Sequence, residues 1–144
     1  MTGGELIALA EWCEAAAGAD RELDAAVFRS IGAPVPFQFA NKLLALTFDE
    51  ARNAYFADIG EMRVRYEPPA FTASVDAAMT LVPEGCLHMA RTIWDAAGKT
   101  AGIGRVDRYV SGKWTDGFDS CAASPALALT AAALRALASM KDAA

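Results

Sequence analysis

The stretch CLHMARTIWDAAGKTAGIGRVDRYV, residues 86–110, decides the fold of this chain. Its side chains alternate on both sides of Gly98-Lys99, the period expected of two paired β-strands joined by a tight reversal. We therefore predict an antiparallel hairpin with one strand from Cys86 to Asp95 and a second from Thr100 to Val110.

The residues after this hairpin complete the fold. Ser111-Gly112-Lys113 predicts a turn into a third, shorter strand around Trp114 to Phe118. Ser124 then predicts an N-cap, and Pro125 the first residue of a long helix. The order strand, strand, strand, helix indicates an α+β fold, in which helices pack on a central antiparallel sheet of three to four strands as a layered sandwich.

The first thirty residues predict two helices. Apolar side chains recur at helical spacing between Glu5 and Ala17, and Gly18 is expected to end this helix in the left-handed conformation. Asp20 is placed to cap a second helix from Arg21 to Ser30. The residues expected to face inward on the second helix are Leu23, Val27 and Ile31.

The middle of the chain, from Ala33 to Pro69, has a mixed period. Thr47 and Glu50 have the spacing of a capping box, which predicts a helix from Phe48 to about Asp58. Residues 62–66 alternate as a half-buried strand, and the prolines that follow indicate an edge position. We interpret residues 33–70 as an insertion or divergent segment within a single domain of residues 1–144.

A short helix is predicted after Ser74, which can cap it, and Pro83 is expected to stop it. The residues expected to face inward are Ala77, Ala78 and Leu81. Pro83-Glu84-Gly85 then turns the chain into the first hairpin strand.

Composition limits the partners of the chain. With 144 residues it can bury one core without a disulfide or metal, and its formal net charge of −5 disfavours nucleic acid and anionic membranes. The uncharged run from Cys121 to Leu134 is too short to cross a bilayer. The hydrophobic fraction of 54% favours closely packed helices and a self-associating face, so a homo-oligomer is a hypothesis.

Three phrases of the sequence resemble the phage alpha-beta-alpha sandwich domain family. They are residues 20–24 (DRELD), residues 71–78 (FTASVDAA) with residues 81–85 (LVPEG), and residues 124–129 (SPALAL). The resemblance implies a layered fold with a sheet between helices, a viral origin and an undefined role. It implies no catalytic residues. The three cysteines, odd in number and scattered, are typical of reduced thiols, so the expected location is the host cytoplasm.

Glycines near the hairpin do not form a nucleotide motif. A phosphate-binding loop ending at Gly98-Lys99-Thr100 would need a glycine where Ile93 stands. Gly102-Ile103-Gly104 lacks the third glycine of a dinucleotide fingerprint and does not open a helix. We interpret these glycines as part of the hairpin, and we predict no cofactor.

Cys86 and His88 are the nearest pair of reactive side chains in the sequence. Two apart on a strand, they share one face and could bind zinc if Cys121 approached. Their separation of about 6 to 7 Å is too long for the histidine to activate the thiol directly. We therefore expect neither a metal site nor an enzyme.

A nucleic-acid-binding module is the alternative function. A helix, three antiparallel strands and a final helix resemble the element order of double-stranded RNA-binding domains. The start of the last helix, however, has no lysine to meet phosphates. The cations that could gather on the hairpin are Arg91, Arg105, Arg108 and Lys113.

The preferred hypothesis is a noncatalytic phage accessory protein that binds another protein, such as a host or defence factor. Large aromatic side chains cluster in sequence around the hairpin, and aromatic residues commonly anchor protein interfaces. The candidate partner-binding residues are Trp94, Tyr109, Trp114 and Phe118. The competing interpretation of these aromatics is that they fill the core of the sheet.

Overall fold

The computed structural model describes residues 2–31, 37–39, 42–44, 46–52, 54–59, 61–114 and 117–142. The helices are α1 (Gly3–Ala15), α2 (Arg21–Ser30), α3 (Val75–Met79) and α4 (Pro125–Asp142). The strands are β1 (Phe37–Phe39), β2 (Lys42–Leu44), β3 (Leu46–Asp49), β4 (Ala54–Ile59), β5 (Met62–Tyr66), β6 (Cys86–Trp94), β7 (Thr100–Val110), β8 (Lys113–Trp114) and β9 (Phe118–Ala122). The fold is α+β and ends in strands followed by a helix, as predicted.

Strand β7 is the centre of the main sheet. It pairs with β6 from Cys86 opposite Arg108 to Trp94 opposite Thr100, and Gly98 turns the hairpin with φ +79. This confirms the predicted hairpin. On its other side β7 pairs with β9 and, at its end, with β8.

The third strand lies later in the chain than predicted. The expected strand around Trp114 to Phe118 is replaced by the two-residue β8 and the longer β9. Ser111 and Gly112 both have positive φ, so they form a tight turn. This turn pairs Lys113 and Trp114 with the end of β7 in a short hairpin. The main pairing with β7 therefore resumes only at Phe118.

Helix α4 lies directly on β7, and two glycines make this possible. A Cβ on Gly102 would be 2.0 Å from the Ser124 carbonyl carbon, and one on Gly104 would be 2.4 Å from that of Ala128. Both glycines lie in hairpin strand β7, as predicted, and they allow the close approach of the helix to this strand. The predicted helix start is confirmed, since the Ser124 hydroxyl accepts from the amide of Leu127 at 3.3 Å.

The first two helices differ from prediction mainly at their ends. Helix α1 begins at Gly3, where Thr2 and Glu5 form a capping box, and it ends at Ala15 rather than at Ala17. The chain leaves it in an extended conformation at Ala16, so the expected left-handed Gly18 was wrong. Helix α2 has the predicted bounds and is capped by Asp20; Leu23 and Val27 are buried.

Two further corrections concern exposed or extended residues. Ile31, expected to face inward, is 39% exposed because it follows the last turn of α2. The helix predicted from Phe48 to Asp58 is wrong, since β3 and β4 form a hairpin there. The Thr47 hydroxyl donates to the Phe56 carbonyl across this ladder, so it does not cap a helix. The carboxylate of Asp49 stabilises the turn by accepting from the Arg52 amide and guanidinium.

The second sheet has the order β3, β4, β5, so the strand predicted over residues 62–66 is confirmed as an edge strand. It packs on α2, where the ring of Phe28 meets that of Tyr55 edge-on at 4.8 Å. Tyr55 is fully buried, so this part of the segment interpreted as an insertion contributes to the core. The short helix after Ser74 is also confirmed, with Ala78 and Leu81 buried.

Two of the three phrases that carry the family resemblance meet in the core, and the residue directly after the third phrase, Thr130, contacts the second. The buried carboxylate of Asp24 accepts from the Thr72 amide at 2.8 Å, and the Thr72 hydroxyl accepts from the Asp20 amide at 2.8 Å. The next residue back, Phe71, offers its carbonyl to the Thr130 hydroxyl of α4 at 3.0 Å. These contacts join α2, the segment before α3 and α4, which explains the residue types in structural terms.

Candidate functional site

Helix α4 covers only one side of the main sheet. On that side Gly102, Gly104 and Val106 of β7 are buried, because they lie against the helix. Side chains of the opposite parity point away from α4. We call this opposite side the open face; it carries Leu87, Met89, Arg91, Ile93, Ile103, Arg105, Asp107, Tyr109, Trp114, Asp119 and Cys121.

The open face presents apolar side chains to solvent. Leu87 and Met89 are 54% and 40% exposed on β6, and Ile103 beside them is half-buried. Across the ladder Leu87 is opposite Asp107, which places it diagonal to Tyr109 at about 7–8 Å. The apolar row on β6 therefore continues into the aromatic end of β7.

Two of the four candidate aromatic residues form a pair at that end. Tyr109 and Trp114 are direct cross-strand partners, their ring centroids are 4.9 Å apart, and the rings are tilted by 54°. They are 56% and 51% exposed, so they are surface residues rather than core. Such a pair buries little when the protein is alone and offers two large rigid rings to a partner.

The other two aromatic residues lie elsewhere. Trp94 is 69% exposed but sits at the opposite end of the hairpin, about 30 Å from Tyr109 along the strand. Phe118 points toward α4 and packs against the core. The structure thus brings together Tyr109 and Trp114 only, and it supports the core interpretation for Phe118 alone.

The four candidate cations are not brought together. Arg91 and Arg105 lie on the open face, whereas Arg108 lies on the α4 side, where it donates to Ser139 at 3.3 Å. Lys113 is exposed in β8, at the end of the sheet.

Arg105 is also largely neutralised. Its guanidinium contacts Asp107 and Asp119 at 2.9 Å each, and these two carboxylates raise the pKa of Arg105. Two acidic groups on one arginine leave the spot with a net negative charge, which repels a phosphate backbone. The described cations therefore form no continuous positive surface on this hairpin.

The cysteines and the histidine do not form a site among the described residues. Cys86 faces α4, while Cys121 is exposed on the open face, so the zinc arrangement with His88 is contradicted. Within the described ranges, no three His, Cys, Asp or Glu side chains group closely enough to hold a metal ion. Burial raises the pKa of the Cys86 thiol, which disfavours its thiolate form.

Two concave surfaces are the other candidates for binding. One lies between α1 and α2 and is lined by Leu9, Trp12 and Arg29, but the Arg29 guanidinium stacks on the Phe48 ring at 4.0 Å. The other lies on the open face, between Met89, Ile103 and Cys121. The first surface is lined by apolar and charged side chains, and the second also includes the Cys121 thiol and the Glu14 and Asp119 carboxylates.

Sequence reasoning missed the apolar row of Leu87 and Met89. Apolar residues occur on both faces of β6, so the alternation of its side chains did not show which face helix α4 covers. The signal was in the partner strand: Gly102 and Gly104 mark the side that a helix backbone approaches. The opposite parity had to face outward.

No family model matches this chain, and searches of curated proteins and of solved structures find no match either. Among the described residues, none of the helices combines the length and the apolar character needed to span a membrane. A functional proposal therefore rests on the geometry of the open face and on the family resemblance of the three phrases.

Proposed function

We propose that this chain is a noncatalytic phage accessory protein that binds another protein through the open face of its main sheet. The observation that carries the proposal is the exposed Tyr109–Trp114 pair, continuous with Leu87 and Met89. Exposed apolar side chains that adjoin one another, rather than scattered ones, are typical of interaction sites.

The open face offers features that protein interfaces use. Exposed apolar side chains lie on β6 and an exposed aromatic pair lies where β7 meets β8, while the Arg105 ion pairs lie beside them on β7 and β9. Arg105 is paired with two carboxylates, so a partner that covers the apolar side chains beside it does not bury this arginine as an unpaired charge. The phage origin and a location in the host cytoplasm are the parts of this proposal that rest on the family resemblance.

The test compares partner capture by the wild type and by a Tyr109→Ser/Trp114→Ser double variant. Tagged protein is incubated with host lysate, and bound proteins are identified and quantified by mass spectrometry. We expect a stoichiometric partner with the wild type and a loss of at least about tenfold in the double variant, because aromatic anchors each contribute about 2 kcal/mol or more.

The matched control is Trp12→Ser, which removes an aromatic side chain that is 41% exposed and lines the alternative surface between α1 and α2. It should retain the partner. Equal melting temperatures for all three proteins would show that the fold is intact. The proposal fails if the double variant binds as well as the wild type, or if the captured material is removed by nuclease.

A further inference from the structure

The outer edge of β6 is unpaired among the described strands, and the hairpin fixes which backbone groups lie on it. The Asp95 amide donates to the Lys99 carbonyl at 3.0 Å, so Asp95 and Lys99 form a hydrogen-bonded pair. Hydrogen-bonded and non-hydrogen-bonded pairs alternate along an antiparallel ladder. The amides and carbonyls of residues 86, 88, 90, 92 and 94 therefore point away from β7.

One of these amides is already used, which supports the assignment. The Cys86 amide donates to the Pro83 carbonyl at 3.1 Å, on the side away from β7. The four residues His88, Ala90, Thr92 and Trp94 keep both backbone groups directed to the free edge.

This edge lacks the usual protection against pairing. Edge strands of monomeric proteins are commonly blunted by proline, lysine, inward charges or a short length. Strand β6 has nine residues, contains neither proline nor lysine and carries no acidic side chain. Its only permanent charge is Arg91.

We propose that β6 pairs in antiparallel fashion with β6 of a second copy of this chain, about a two-fold axis at Ala90. In this register Ala90 is opposite Ala90 of the second copy, and His88 is opposite Thr92. All of these residues have outward backbone groups, so each of the pairs forms the hydrogen-bonded type. On the open face Leu87 lies opposite Ile93, which brings two apolar side chains together.

The register about Ala90 is selected over its neighbours. A shift of the axis to Arg91 would place two arginines directly opposite each other, which is destabilising. A shift to Met89 would leave Ile93 and Trp94 without partners. The axis at Ala90 pairs all nine residues of β6 and sets Arg91 opposite the apolar Met89.

The arrangement also gives Trp94 a position. This side chain, 69% exposed, would lie opposite Cys86 of the second copy, over the end of its sheet. An axis perpendicular to the sheet keeps both open faces on the same side, so the dimer would present a doubled apolar surface. The inference goes beyond the proposed function, because pairing uses the edge of β6 and leaves Tyr109 and Trp114 free.

The first test is the mass in solution. Sedimentation equilibrium at about 100 µM, where mass action favours association, should give twice the 15.2 kDa of one chain. His88→Pro removes an outward amide without touching the ladder to β7 and should give a monomer. His88→Thr, which keeps the amide, is the matched control and should remain a dimer.

The second test fixes the register by cross-linking. In a Cys121→Ser background, Leu87→Cys and Ile93→Cys are made as separate variants. Within one chain, residues 87 and 93 are about 20 Å apart. Residue 87 of one copy is also about 20 Å from residue 87 of the second copy, and the same distance separates the two copies of residue 93. Leu87 of one copy and Ile93 of the other would be about 4.5 Å apart between Cα atoms, which suits a disulfide.

After mild oxidation, the Leu87→Cys variant by itself and the Ile93→Cys variant by itself should each run as a monomer on a denaturing gel. A mixture of the two variants should form a covalent dimer. A monomer mass for the wild type overturns the inference, as does a dimer that survives His88→Pro. Cross-linking of either variant by itself overturns the register. Partner capture through Tyr109 and Trp114 is measured separately, so the failure of one proposal does not imply failure of the other.

Discussion

Gly104→Ala tests the contact on which the architecture depends. A Cβ at this position would be 2.4 Å from the Ala128 carbonyl carbon and 2.5 Å from its oxygen, whereas carbon atoms pack at about 3.5–4.0 Å. Helix α4 would therefore have to retreat by about 1 Å. Neither the strand nor the helix can relieve the clash by changing a rotamer, because the atoms belong to the backbone.

The cost is set by the surroundings of α4. Eleven of its residues are buried, so a displacement disturbs packing on several sides at once. Overpacking of a core typically costs about 1–3 kcal/mol, and we expect the upper end, about 3 kcal/mol. In urea, where m is about 1–3 kcal/mol per molar, the midpoint of unfolding should fall by about 1 M or more.

Two other glycines separate crowding from backbone strain. A Cβ on Gly18 would meet no atom of the described residues within 4 Å, and Gly18 has no left-handed φ, so Gly18→Ala should change stability by less than about 1 kcal/mol. Gly98 also has open space but has φ +79, so Gly98→Ala should cost about 1–2 kcal/mol. If Gly104→Ala is no more destabilising than Gly98→Ala in urea unfolding followed by circular dichroism, the close approach of α4 is refuted.

Three further predictions concern buried polar groups and thiols. Asp24→Ala should lower the free energy of unfolding by about 3 kcal/mol in urea titrations, because it removes a fully buried carboxylate that binds Thr72 and Arg21. Ser120→Ala should raise the free energy of unfolding by about 1 kcal/mol, since the buried Ser120 hydroxyl has no hydrogen-bond partner among the described residues, and a decrease would contradict this. At pH 8 a thiol reagent should modify the exposed Cys121 rapidly but reach Cys13 only on unfolding, because Cys13 is buried and burial raises its pKa to about 12. Mass spectrometry of timed samples follows the two reactions, and modification of Cys13 before Cys121 would contradict the prediction.

The last third of the chain could be predicted because its signals are local. The turn at Gly98 and the cap at Ser124 each depend on the backbone conformation of one or two residues, so the sequence specified them. The segment around Thr47 could not be predicted in the same way. Its capping-box spacing is compatible with a helix, but Tyr55 is buried against Phe28 of α2, a contact that only the tertiary structure supplies.

The candidate site was predicted only in part, for a related reason. Aromatic residues were expected near the hairpin, but their exposure depends on the side that α4 covers. That choice is made by Gly102 and Gly104, whose role requires knowledge of a helix far along the chain. Charge neutralisation of Arg105 likewise depends on Asp119 of a neighbouring strand, so the predicted cluster of cations did not follow from the sequence order.

The contact between Gly104 and Ala128 also bears on why Tyr109 and Trp114 are exposed on the open face. Where α4 lies against β7, residues such as Gly104 and Ala128 bring the two backbones together, so this layer of the core needs no large side chains. Tyr109 and Trp114 are therefore not required to fill it. Keeping their rings in water forgoes the stabilisation that burial of an aromatic side chain would give, about 1.5–3 kcal/mol for a side chain of the size of Phe. Folding does not account for this exposure, whereas a partner that covers the two rings would recover that stabilisation on binding.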